Sequence, residues 1–360
     1  MKKIVLFPFH HDIETLLKDR ELLIDTEITG IISYNEDSPF IEKLCSAYGI
    51  ANRSYDELLN ECDAVLILDN YREYSQNKYY SVIDDANRLG KEVLITPLAA
   101  SQIDLSDYEG KYSLLKKEPC DPQEIERRYD MDKREKLYDL EIPAVGIMGQ
   151  GINCGKFECQ KLVNNVLSTE CKTAVLSTNA LGALYGYYTM PDFMYASLSF
   201  NEKVLKFNLY IRMIVKTENP DIIIVGMPEG VAPFEKRIFN SFGEYPLVIT
   251  SAISLDTTIL CTYFLQGELI EGGVEEIMAM CEERFRIPMG AVCISDVYLE
   301  IPEAELSETV YEFLDEDFVL RHRSPIDGNS APIFDTYNEN RAEAIIRSLI
   351  EPMSENIKLM

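Results

Sequence analysis

Four short apolar runs punctuate the first hundred residues: "IVLF" (Ile4–Phe7), "ITGIIS" (Ile28–Ser33), "AVLILD" (Ala64–Asp69) and "EVLIT" (Glu92–Thr96). Helical spacing of apolar residues separates them over Ile13–Leu23, around Phe40–Tyr48 and over Tyr79–Leu89. Gly90 closes the last of these, where glycine takes a left-handed cap without a Cβ penalty. Runs this short, flanked by helices and apolar on both faces, predict parallel strands. A second series follows: "AVGIM" (Ala144–Met148), "TAVLST" (Thr173–Thr178), "DIIIVG" (Asp221–Gly226), "PLVIT" (Pro246–Thr250) and "AVCISDVYLE" (Ala291–Glu300). Its helices are expected after the first strand, over Val204–Thr217, and near the end, where Ala342, Ile345, Ile346, Leu349 and Ile350 form one stripe. Between the two series the charge density rises and the apolar period fades, as in "KKEPCDPQEIERRYDMDKREKLYDLE". The pattern predicts an α/β protein with an N-terminal Rossmann-like parallel-sheet domain (1–100), a charged linker (101–141) and a C-terminal P-loop NTPase-like domain (142–360).

Composition narrows the partners. The 360 residues carry 61 acidic and 34 basic side chains, a formal net charge of −27. Such a field repels nucleic acid and anionic membrane surfaces, so neither is an expected partner. Nine cysteines without a repeated spacing do not form a disulfide framework. The opening "MKKIVLFPFHHDIE" is too short in its apolar core for a signal peptide, and no run reaches transmembrane length. A cytoplasmic protein is expected, with a homo-oligomer left open.

The first strand lacks a Rossmann glycine fingerprint, since "PFHHD" follows Phe7. The N-terminal domain is therefore Rossmann-like in architecture only, with no dinucleotide assigned. The chemistry concentrates instead in "AVGIMGQGINCGKFECQ" (Ala144–Gln160). A strand, a glycine-rich turn with a Gly-Lys pair and an amphipathic helix occur there in the order that lets backbone N–H groups converge on phosphate. The candidate cradle is Gly149, Gln150, Gly151, Ile152, Asn153, Cys154, Gly155, Lys156 and Phe157, and its candidate ligand is ATP or GTP. Phe157 stands where a Ser or Thr hydroxyl normally holds Mg2+, and Val225 and Gly226 end the next buried strand where an acid is usual. Glu158 is the nearest oxygen donor, and Mg2+ is accordingly not assigned.

The spacing Gly149-x5-Gly155-Lys156 resembles the loop of the dethiobiotin-synthetase-like branch of P-loop proteins. "LSTNALGALYG" (Leu176–Gly186) and "NPDIIIVGMPEGVAPF" (Asn219–Phe234) resemble further elements of a related group with a Rossmann-like N-terminal domain. With "YGYYTMPDFMY" (Tyr185–Tyr195) and "APIFDTYNENRAEAII" (Ala331–Ile346), the chain resembles clostridial peptide maturation system proteins, found with ribosomally made peptide natural products. That resemblance implies a two-domain accessory protein whose partner is a precursor peptide or a modifying enzyme. It implies no particular reaction, and leaves open an enzyme or a non-catalytic scaffold with a degenerate loop. The dethiobiotin-synthetase-like resemblance implies that the tyrosines of Tyr185–Tyr195 lie near the active site and line a substrate pocket; the alternative is that they bury a domain interface.

Three residues are weak catalytic candidates. Glu229 lies just past a central strand, and Asp192 follows the aromatic cluster. Cys154 opens a helix beside Lys156, a setting that lowers a thiol pKa. Cys159 falls on the buried stripe, its spacing from Cys154 is not that of structural zinc, and no metal is expected. His10 and His11 end the first strand, where open α/β sheets place ligands. His322 has no partner in its local sequence, and no nucleophile elbow marks a serine hydrolase.

Overall fold

Most of the apolar runs of both series become parallel strands. The computed structural model describes residues 1–10, 12–33, 38–50, 53–69, 75–132, 136–233, 242–264, 269–300, 310–322 and 331–353. The chain divides into two units, one of Met1–Lys117 with Ala180–Tyr187, the other of Glu118–Asn179 with Tyr188–Met360.

In the first unit the elements run β1 (Lys2–Phe7), α1 (Asp12–Lys18), β2 (Thr26–Ile31), α2 (Ser38–Ala47), α3 (Tyr55–Glu61), β3 (Ala64–Ile67), α4 (Gln76–Arg88), β4 (Glu92–Ile95), α5 (Pro97–Gln102) and β5 (Ser113–Leu114). The parallel sheet has the order β2-β1-β3-β4-β5. Strands β1 and β3 are buried on both faces, which is why they read as continuous apolar runs. Under one face Tyr79 of α4 meets the edge of Phe7, with ring centroids 5.2 Å apart. Gly90 takes φ +68° and ends α4 as its position predicts. Ser54 and Glu57 form a reciprocal capping box at the start of α3.

The second unit holds α6 (Pro122–Asp132), β6 (Ala144–Gly149), α7 (Lys156–Leu167), β7 (Thr173–Ser177), β8 (Tyr188–Thr189), α8 (Phe200–Glu218), β9 (Ile222–Gly226), α9 (Glu244–Ala252), β10 (Thr257–Thr262), α10 (Leu269–Phe285), β11 (Met289–Ile294), β12 (Val297–Glu300), β13 (Val310–Phe313), α11 (Glu316–His322), β14 (Ile333–Asp335) and α12 (Glu339–Ile350). Its seven-stranded sheet is parallel, in the order β14-β11-β10-β6-β9-β7-β8. β6 is therefore central and entirely buried.

Three expectations change. "PLVIT" lies inside a helix, α9: Val248, Ile249 and Ala252 share its buried face, and Pro246 sits in the first turn, where a missing N–H costs no helix bond. Short β-branched runs do not separate strand from buried helix by pattern alone. The strand expected there is β10, "TTILCT", whose threonines hid a wholly buried run. "AVCISDVYLE" breaks in two, because the Ser295 hydroxyl accepts the Val297 N–H and turns the chain. β11 stays in the sheet, while β12 pairs antiparallel with β13 outside it.

The charged stretch 101–141 is structured. β5 completes the first sheet, and α6 belongs to the second unit, where Glu126 pairs at 2.7 Å with the buried Lys206 of α8. Its high charge is that of a solvated helix face, which local sequence does not distinguish from a linker.

Helix α8 is buried on most of its circumference, so its polar groups need partners. Asn208 accepts from the Tyr138 N–H at 2.8 Å and donates to the carbonyls of Tyr138 at 2.9 Å and Ala252 at 2.8 Å. Asn208→Ala strands these groups and is expected to lower unfolding free energy by about 1–3 kcal/mol. A shift of the urea midpoint to lower concentration checks it.

Candidate functional site

The turn after β6 is shaped by close approach. A Cβ at Gly149 would lie 2.8 Å from Lys156 Cδ, so the lysine stem folds back directly over this glycine. Asn153 and Gly155 take left-handed φ values of 53° and 74°, and a Cβ at Gly155 would press on Ser295 Cβ at 2.8 Å. Left-handed residues alternating with right-handed ones turn successive N–H groups toward one side, which makes an anion nest. Gly155 then caps α7, whose first residue is Lys156. Among the described residues, the N–H groups of Gly151, Ile152, Asn153, Gly155 and Lys156 donate to no other protein group. Gln150 differs: its N–H is spent on the Cys261 carbonyl at 2.9 Å.

Lys156 is buried, and its ammonium donates to the Gly151 carbonyl at 2.6 Å and to the Glu229 carbonyl at 2.5 Å. Phe157 does not face the nest as a hydroxyl would. Its ring is buried and lies beneath the ammonium of Lys161, 5.5 Å from the centroid. The missing strand-end acid also has a structural reason. A Cβ at Gly226 would come within 2.5 Å of Gln160 Nε2 and 2.6 Å of Thr178 Cγ2. Gln160, fully buried, crosses there to donate to the Leu176 carbonyl at 2.8 Å and to accept from Thr178 N–H at 3.1 Å. Neither position 157 nor position 226 thus carries the usual Mg2+ holder, and both are packed around other side chains.

The segment after β9 is stitched to the same turn. Val231 N–H donates to the Gly149 carbonyl at 3.0 Å, and a Cβ at Gly230 would strike the Gln150 carbonyl oxygen at 2.6 Å. Glu229 itself takes φ 57°, a strained conformation for a residue with a side chain. Its carboxyl is pushed up to about 7, first by desolvation and then by Glu244, against the opposing pull of Lys156 and Lys203. Lys203 is buried, donates to Glu244 at 2.8 Å and lies over the Tyr245 ring at 5.7 Å. Tyr245 is held up to about 12 by desolvation, Glu229 and Glu244, and its ring meets Tyr195 edge-on at 5.3 Å. Beside the cradle there is thus a carboxyl that titrates near neutrality, two buried lysines and two tyrosines. Lys203, Glu244 and Tyr245 were not foreseen. Tyr245 adjoins the stretch that reads as a strand, and nothing local marks the other two.

The remaining candidates separate. Cys154 is buried, with its thiol 3.2 Å from the Gly151 carbonyl. Burial pushes this thiol up, outweighing the attraction of Lys156, so the expected activation is reversed. Cys159 is not isolated: Cys261 of β10 and Cys293 of β11 bring their sulfurs to it, all three within 4.8 Å of one another. Asp192 is exposed on the turn before Tyr195. Tyr185 and Tyr187 stack at 5.8 Å in the first unit, whereas Tyr188 of β8 donates to Glu218 at 2.7 Å in the second. His10 is buried and accepts from the Asp12 N–H at 3.2 Å, an end-capping contact for α1. His11 and Phe234 lie outside the described residues. His322 stacks on Phe318 within α11, with centroids 4.1 Å apart.

No protein-family model matches this chain, and no curated protein does. Among solved structures, a DUF1611 family protein from Anabaena variabilis is similar over 97% of this chain and 100% of its own, with 13% identity and a TM-score of 0.56. At that identity the likeness is one of fold. A GTPase in apo form from Pyrococcus abyssi matches 59% of this chain and 98% of its own at 11% identity, with a TM-score of 0.35. A nucleotide-binding protein in complex with ADP from Archaeoglobus fulgidus matches 63% of this chain and 93% of its own at 13% identity, with a TM-score of 0.31. No helix among the described residues is long and apolar enough to cross a membrane.

Proposed function

We propose that the turn Gly149–Phe157 binds the phosphate chain of ATP or GTP, and that the protein serves as a nucleotide-binding accessory factor in maturation of a ribosomally made peptide. The observation that carries the nucleotide is a buried ammonium without a bonded carboxylate. Among the described residues, Lys156 reaches only two carbonyls, beside a row of backbone N–H groups that donate to no protein group. A buried cation is costly unless an anion compensates it, and phosphate on the nest supplies that charge with matching donors. The peptide context rests on the resemblance of "GIMGQGINCGKF" and "PDIIIVGMPEGVAPF" to clostridial peptide maturation proteins. Glu229 is the residue placed to exchange a proton beside the phosphates, because its carboxyl titrates near pH 7.

A second proposal, a scaffold that keeps the turn as architecture, is favoured by Phe157 and Gly226, which leave no Mg2+ site. The two separate on one substitution. Under nucleotide binding, Lys156→Ala weakens ATP or GTP affinity about 10- to 100-fold, the loss of a charge-assisted hydrogen bond. Isothermal titration measures this, and omission of Mg2+ should change wild-type affinity little. Wild type that binds neither nucleotide at millimolar concentration overturns the proposal. The scaffold instead predicts that Lys156→Ala leaves peptide maturation unchanged.

Proton linkage gives a second test. Below about pH 7 Glu229 is neutral, and above it the carboxylate repels bound phosphate. Wild-type nucleotide affinity should therefore fall several-fold more than that of Glu229→Gln between about pH 6 and about pH 8. Parallel pH profiles would exclude Glu229 from the site. Because both proteins see the same nucleotide ionisation, the difference belongs to this side chain.

A further inference from the structure

Directly behind the phosphate turn, three thiols from three separate elements converge. Cys261 and Cys293 are paired in register on the adjacent strands β10 and β11, so their side chains share one face of the sheet. Cys159 comes down on that face from the first turn of α7, three residues past Lys156. The sulfurs all lie within 4.8 Å of one another, and the three residues are buried to 1% exposure or less. All nine cysteines are free, and among the described residues only these three gather in this way.

We propose that Cys159, Cys261 and Cys293 form a binding site for a soft d10 cation, Zn(II) or Cu(I), held by three thiolates beneath the phosphate cradle. The geometry is close to what such an ion needs. Zinc–sulfur bonds of about 2.3 Å set sulfurs about 3.8 Å apart, so side-chain rotation of less than about 1 Å closes the site. Soft sulfur ligands select these cations over Mg2+ or Ca2+. Charge favours zinc of the two. Three thiolates and Zn(II) leave a single negative charge in the interior, which the Lys156 ammonium, whose field reaches Cys261, favours and the buried Asp335, whose field reaches Cys293, opposes. With Cu(I) a further negative charge stays unmatched, which burial penalises. The competing explanation, three cysteines packed as small apolar side chains, predicts no stoichiometric metal. Bound metal would join the start of α7 to β10 and β11 and fix the spacing of the cradle, independently of whether a nucleotide binds.

The test uses the full-length protein, reduced and stripped with a chelator. It is then incubated with Zn(II), with Cu(I) under a competing copper chelator, or with Co(II) as a spectroscopic substitute for zinc. Gel filtration and elemental analysis should find stoichiometric retained metal, and Co(II) should give an intense thiolate-to-metal charge-transfer band. Cys293→Ala and Cys261→Ala should weaken retention at least 10-fold, with Cys281→Ala, a buried cysteine outside the cluster, retaining metal as wild type does. Retention of Cu(I) alone keeps the site and overturns the preference for zinc. Folded, reduced wild type that retains neither cation and gives no Co(II) charge-transfer band overturns the site. So does equal retention in Cys159→Ala/Cys293→Ala. Should the alanine variants fail to fold, the wild-type cobalt spectrum decides alone.

Discussion

Two loops at the carboxyl edge of the second sheet hold each other, and the site exists only because they do. The turn after β6 gives its Gly149 carbonyl to Val231, and the segment after β9 gives the Glu229 carbonyl to Lys156. Each loop carries backbone groups that are poorly hydrated and need partners. The close contact that satisfies them leaves no room for a side chain at Gly230, and at Gly149 the turn's own Cys154 and Lys156 fill the space. Because β10, β6 and β9 are neighbours in the sheet, the turn is also anchored on its other flank, where Gln150 donates to Cys261. The N–H groups that remain, from Gly151 toward Lys156, are the ones that this mutual bonding does not consume.

The same arrangement explains why the residues absent from an ordinary Mg2+ site are absent together. Phe157 fills a buried position under Lys161, and Gly226 is kept bare by the crossing of Gln160. Restoring a hydroxyl at 157 would leave a cavity where the ring packs, and an acid at 226 would collide with an amide already bonded twice to the end of β7. These positions are packed around alternatives, so the turn is a coherent structure rather than a metal site that lost one ligand. The proposed phosphate recognition therefore relies on backbone and lysine, with Lys156 and Glu229 as its charged groups.

Much of this was legible in the sequence where physics is local. β6, the glycine turn and α7 were readable because a buried strand, glycine-dependent backbone and an amphipathic stripe each leave marks within a few residues. Gly90 was readable as a cap for the same reason. What failed depended on distant partners. "PLVIT" has strand-like residues but is helical because its face packs in the core, and "TTILCT" is a central strand though four of its six residues are threonine or cysteine. The thiol cluster joins residues 159, 261 and 293, whose meeting is fixed by the register of β10 on β11 and by the packing of α7 against them. The expected activation of Cys154 failed because helix position raised reactivity on paper while burial, which sequence does not show, decides the outcome.

Charge ties these features into one argument. The protein is strongly acidic, yet Lys156, Lys161, Lys203 and Lys206 are all buried in the second unit. Lys203 and Lys206 have carboxylate partners, and Lys161 covers the Phe157 ring. Lys156 instead donates to two carbonyls beside the proposed phosphate turn, and its field also reaches Cys261 of the thiol cluster. A phosphate in front and a metal thiolate behind would both draw on the same ammonium, so occupancy of one site lowers the electrostatic gain available to the other. In a low-dielectric interior such competition is strong. If both proposed sites are filled, negative coupling between phosphate and thiolate charge would follow from the position of a single lysine, with no conformational change required.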